Sequence, residues 1–239
     1  MSWQTIWRST VGKKVIMAIT GIGLMLFLVV HLIGNLLLFV PDGGESFNKY
    51  GAALKSMGPF LYVIRGGLLA FFLFHIVAAI QVYASKKRAR TGRYAVESSK
   101  GGPSKLSVAS KSMIVTGVVL LVFVPLHIWM FGMNKGAPPP TVMIDGAELK
   151  DIYTMVATSF NQLGIVVFYV GTMLFLGFHL RHGFWSALQS LGAMSPKWTP
   201  AIYTAGFVFA FLLAGGFVVL PLYFYFIIDA PVASAGGAL

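Results

Sequence analysis

The segment Phe175–Gly192, FLGFHLRHGFWSALQSLG, decides how the whole chain is read. Its first half is as apolar as a membrane-spanning helix, its second half runs out toward water, and it holds His179 and His182. A histidine near the centre of a bilayer costs about 2 kcal/mol or more unless a partner or ligand uses it. The other three histidines, His31, His75 and His127, lie in equally apolar surroundings, and none of the five is in a polar loop.

Composition agrees with a membrane setting. The 239 residues are 57% hydrophobic and only 10% charged, with a mean hydropathy of +0.80, whereas a soluble domain carries about 25% charged residues. There are no cysteines, which excludes disulfides, thiolate metal sites and cysteine nucleophiles. The run Val15–Val40 is too long for a signal-peptide core and no small-residue cleavage pattern follows it, so it is expected to remain as a span.

Outward from the opening segment, the chain reads as one all-α membrane domain, residues 1–239. Five apolar stretches near 15–40, 60–84, 109–133, 160–188 and 201–228 are each long enough to cross a core of about 30 Å. Trp3, Ile6 and Trp7, with Arg8, Lys13 and Lys14 close behind, predict a short interfacial helix near 2–12. Segments that are apolar all round do not reveal which face packs where. The region 131–159 reads as a Pro-rich turn followed by an acidic helical stretch, and the last nine residues, PVASAGGAL, as an uninformative tail.

Charge sets the orientation. With the N-terminus cytoplasmic, 13 of the 18 Lys and Arg fall on inner segments and 5 on outer ones; of the acids only Glu97 is inside. This positive-inside pattern predicts an inner N-terminus and an outer C-terminus. The same distribution assigns the net charge of +11 to topology and leaves no nucleic-acid partner. The basic loop 85–108 reads as the topology determinant, with anionic lipid or a cytoplasmic partner protein as its further contacts.

His31, His75, His127 and His179 all lie in the C-terminal halves of their spans. Because successive spans run in opposite directions, His31 and His127 share the outer leaflet and His75 and His179 the inner one. Two imidazoles at one depth on different helices match the axial needs of a six-coordinate b-type haem, so the pattern predicts two haems, one per leaflet. A helix–helix hydrogen bond or a proton relay is the alternative use of a single such histidine. His182, one turn from His179, is the rival ligand, or else a neighbour of haem propionates or a quinone. Arg181 and Arg65 are candidates for propionate contacts, with interfacial snorkelling as the simpler role. Gly34, Ala78, Ala79, Gly177 and Gly183 lie near the histidines and suit either a flat ring or close helix packing. Pro125 removes a backbone donor and is expected to disturb the third span.

The motif FHLRHGFWSALQSLG, with H-x3-G-F-W-S beginning at His179, resembles the cytochrome b membrane-anchor subunit of succinate dehydrogenase and fumarate reductase, in its two-haem, single-polypeptide form. HLIGNLLLF at His31, LHIWMF around His127 and one histidine in each of the first four spans extend the resemblance over about 10–228. The resemblance implies a haem-binding bundle of the first four spans in a bacterial cell membrane. It implies flavoprotein and iron–sulfur partners on the cytoplasmic face, and two haem b held by His31 with His127 and by His75 with His179. Electrons from succinate would reach a quinone, menaquinone in this type; a higher oligomer of the complex is left open. The register favours His179 over His182. One departure stands out: some fumarate reductases of this family carry a glutamate two residues before the fourth-span ligand, where this chain has Gly177, so that proton route is not carried over. For the quinone, Asp42 and Glu45 near the outer face and Ser9, Thr10 and Lys13 near the inner face are the candidates. The rival readings are the cytochrome b anchor of a hydrogenase or formate dehydrogenase, and a transporter using a histidine relay.

Overall fold

The computed structural model describes residues 9–88 and 108–228, without the side chains of 108–111. The expected interfacial helix and most of the basic loop lie outside the described residues. Five helices are long and apolar enough to cross a membrane: Thr10–Phe39, Pro59–Arg88, Ser112–Gly132, Leu163–Ser190 and Thr199–Phe226. The chain is an all-α integral membrane protein, and each expected span has its helix.

The spanning helices are α1 (Thr10–Asn35), α3 (Pro59–Arg88), α4 (Val108–His127), α6 (Leu163–Ser190) and α7 (Thr199–Phe226); α2 (Glu45–Ser56) and α5 (Ile152–Phe160) belong to the outer loops. Ser9 starts α1 by accepting a hydrogen bond from Gly12 N at 2.8 Å, which satisfies one of the free N–H groups of the first turn. Pro200 occupies the start of α7, where a missing N–H costs nothing. Pro125 lies inside α4, and two residues later the winding widens into a π-type turn over Ile128–Gly132, closed by Met133 N donating to Ile128 O at 2.9 Å. The disturbance expected at this proline is therefore found just beyond it.

The outer region 131–159 differs from the expectation of a single acidic helical stretch. Thr141–Ile144 (β1) and Ala147–Lys150 (β2) form an antiparallel hairpin in which Ile144 pairs with Ala147. Asp145 and Gly146 form its turn, with φ of 52° and 76°, the Asp-Gly signature of a two-residue hairpin loop. Only Ile152–Phe160 is helical. Lys49 of α2 bridges Glu45 and Asp145 at 2.6 Å each, with all three side chains well exposed, so these pairs contribute little to stability. The firmer link is buried Asn48: Nδ2 donates to Asp151 Oδ1 and Oδ1 accepts from Tyr153 N, both at 3.0 Å. Asp151 Oδ1 also caps α5 through Thr154 N.

Within the membrane, α1 packs along α3 and α6, and α6 packs along α4 and α7. The central pair is thus α1 with α6. α3 flanks one member, and α4 and α7 flank the other.

Candidate functional site: two histidine pairs

The histidines meet in twos. The ring centroids of His31 and His127 lie 5.8 Å apart with planes at 81°, and those of His75 and His179 lie 6.4 Å apart at 63°. These are the pairs that the depth argument expected. Helices α1 and α4, which carry the first pair, are not among those that pack closely on each other, and neither are α3 and α6, which carry the second. Each pair therefore faces across a gap between helices.

That spacing suits a metal between the rings. Two metal–imidazole bonds of about 2 Å each, with the iron in line, set the centroids roughly 6.3 Å apart, within half an ångström or so of both observed values. Axial histidines also use their second ring nitrogen to hold the tautomer, and three of the four rings do so here. His75 Nδ1 lies 3.1 Å from Met17 O and 3.3 Å from Thr20 Oγ1. A carbonyl can only accept, so Nδ1 carries the proton and Nε2 is left with its lone pair. His179 Nδ1 lies 3.1 Å from Thr116 Oγ1, and His127 Nδ1 lies 3.1 Å from the Tyr169 hydroxyl. Tyr169 donates its own proton toward Met130 Sδ at 3.7 Å, which leaves its oxygen to accept from His127. His31 is the exception: its Nδ1 neighbour is the Asn35 amide nitrogen at 3.4 Å, and that amide already donates to His31 O at 2.7 Å.

Aromatic packing frames the outer pair. Phe27 stacks on His31 at 5.3 Å and 15°, and Phe123 on His127 at 5.5 Å and 21°. Phe131, Phe160 and buried Tyr169 close around His127. These supports were missed by the sequence reading, although a signal exists. Every one of the four histidines is preceded at four residues by phenylalanine: Phe27, Phe71, Phe123 and Phe175.

The remaining candidates are placed elsewhere. It is His179 that meets His75, while His182 sits edge-on to Trp185 at 4.7 Å. Arg181 lies over Phe207 of α7 at 5.4 Å and Arg65 over Tyr62 at 5.9 Å, both exposed, the arrangement of snorkelling cations held by aromatic faces. Gly34 lies against the Tyr50 ring, Gly177 against Ala214 and Gly183 against Met25, so the small residues after the histidines serve close packing of the protein on itself. The glycines that face imidazoles are Gly21 and Gly117: a Cβ there would meet His75 Cε1 at 3.2 Å and His179 Cε1 at 3.8 Å. Asp42 accepts from Gly44 N and Ser46 N, and the Ser46 hydrogen bond holds its carboxyl below the usual carboxylate range. Glu45 pairs with Lys49, and Ser9 caps α1. The outer acids and Ser9 thus have structural work of their own.

The chain is 26% identical over 168 residues to the succinate dehydrogenase cytochrome b558 subunit of Bacillus subtilis (strain 168), a match that covers 70% of this chain and 72% of that protein. No family model matches the chain, and no solved structure does. The similarity to the Bacillus protein supports the resemblance drawn from the histidine motifs.

Proposed function

We propose that this chain is the membrane-anchoring, di-haem cytochrome b subunit of a succinate:quinone oxidoreductase. The observation that carries the proposal is the meeting of four span histidines as two pairs at opposite depths. In this reading His75 and His179 hold the inner haem b through Nε2, and His31 and His127 hold the outer one. Bound there, each haem supplies a one-electron iron centre, so the pair links the inner face to the outer leaflet.

The protein's own part is to bind, orient and insulate. Thr20, Met17 O, Thr116 and Tyr169 keep the Nδ1 proton on three of the imidazoles and aim their Nε2 lone pairs. Phe27 and Phe123 lie flat on the outer rings and restrict their rotation. Along α1 the eleven residues from Thr20, at the inner level, to His31, at the outer level, correspond to about 16 Å of helix rise. The N-terminus is cytoplasmic and the C-terminus outside. The flavoprotein and iron–sulfur subunits dock on the inner face, where the basic loop and the end of α6 lie, and a quinone of the menaquinone type is the membrane substrate.

The test is to purify the tagged full-length chain from native-source membranes in mild detergent and add succinate. Co-purification of two further subunits carrying flavin and iron–sulfur clusters, with haem absorbance reduced by succinate, is expected. Haem reduced by hydrogen or formate and not by succinate would move the chain to another respiratory complex. A folded chain without haem would overturn the cytochrome reading.

A further inference from the structure

Helices α1 and α4 share the pattern Thr-Gly-x5-Phe-x3-His, at Thr20–His31 and at Thr116–His127. The two copies do the same things in space. Each Phe stacks on the outer histidine of its own helix, and each Thr reaches across to an inner histidine on a different helix. The glycine beside each Thr faces the Cε1 edge of that same imidazole. One helical unit therefore serves both levels, and it occurs twice.

The hydroxyl protons settle the direction of the cross-helix bonds. Thr20 donates to Ile16 O at 2.7 Å, and Thr116 donates to Met113 O at 3.1 Å. With its proton used within its own helix, each oxygen can offer the imidazole only a lone pair. Both threonines are buried. A mid-helix threonine that bonds back to its own helix is ordinary; a matched pair, each contacting a paired histidine and each followed by a glycine at the ring edge, is not explained by that habit.

We infer that Thr20 and Thr116 are the positioning residues of the inner histidine pair, fixing each imidazole as its Nδ1–H form and strengthening Nε2 as a donor. The inference rests on the two-haem reading. An acceptor on Nδ1–H raises ligand basicity; a more basic ligand favours ferric over ferrous iron, so these hydroxyls lower the reduction potential of the inner haem. Thr116 matters more than Thr20, because His75 also has Met17 O at 3.1 Å.

The experiment is a potentiometric titration of both haems in the intact complex, followed optically, for wild type, Thr116→Val, Thr116→Ser and Thr20→Val. Thr116→Val is expected to raise the inner haem alone, by up to tenfold in the reduced-to-oxidised ratio, or about 59 mV for one electron. Thr20→Val moves the same haem in the same direction by less, and Thr116→Ser restores the wild-type value. Should Thr116→Val fail to assemble, Thr20→Val set against wild type carries the test. Two haems with unchanged potentials in the valine variants, or a shift confined to the outer haem, would overturn the inference. Absence of haem from the wild-type complex would refute the two-haem reading instead.

Discussion

His127 and Tyr169 meet through Nδ1 and the phenol oxygen at 3.1 Å, on the outer side of the bundle, with Met130 Sδ taking the phenol proton. Tyr169 is buried beneath Phe123, Phe131 and Phe160, so no water stands ready to replace its oxygen. Tyr169→Phe leaves the His127 N–H without its acceptor, at a cost of about 1–3 kcal/mol in stability. It is expected to raise the potential of the outer haem alone. Thermal unfolding and a redox titration of the same sample check both halves.

Single His→Ala changes sort the ligands. His31→Ala and His127→Ala are expected to abolish the same low-spin haem, and His75→Ala and His179→Ala the other. His182→Ala is expected to keep both, because His182 packs on Trp185 while His179 meets His75. Haem content per chain and the low-spin ferric spectrum are the measurements. Loss of haem in His182→Ala with retention in His179→Ala would reverse the assignment.

The two glycines at the inner pair differ in room. A Cβ on Gly21 comes within 3.2 Å of His75 Cε1, whereas one on Gly117 lies at an ordinary 3.8 Å from His179 Cε1. Gly117→Ala is expected to be tolerated with both haems retained. Gly21→Ala presses on the ring and, since His75 is held at Nδ1 by two acceptors, is expected to disturb the inner haem spectrum. A larger effect from Gly117→Ala would contradict this geometry.

The outer cap has a pH dependence of known sign. Asp42, held below the usual carboxylate range chiefly by the Ser46 hydrogen bond, contributes its stability above the ordinary carboxylate value of about 4. That contribution is lost as pH falls through its depressed folded value. Lys49, raised by its bonds to Asp145 and Glu45, keeps its contribution below the ordinary lysine value of about 10.4 and loses it only as pH climbs beyond. Between these limits the cap is expected to be insensitive. Amide exchange at Gly44 and Ser46 should quicken only at the acid end.

The sequence was most readable along the membrane normal. Depth is a linear count at about 1.5 Å per residue, so it matched His31 with His127 and His75 with His179 before any packing was known. Direction around each helix was hidden, because helices apolar on every face carry no stripe. Arg181 and Arg65 accordingly point to aromatic neighbours at 5.4 and 5.9 Å, and Gly34, Gly177 and Gly183 pack protein on protein. The supports for the inner histidines lie on other spans, Thr20 being 55 positions from His75 and Thr116 being 63 from His179. Only the repeated Thr-Gly-x5-Phe-x3-His spacing hints at them. The hairpin was legible in principle from Asp145-Gly146, but the acidic residues around it suggested a helix instead.

The most direct test of the account is a dithionite-reduced minus oxidised spectrum of the purified complex, with haem extracted and counted against this chain. Two b-type haems per chain are expected, both low-spin, one lost with His31 or His127 and the other with His75 or His179. A single haem per chain, or none in a folded native-source preparation, would contradict it.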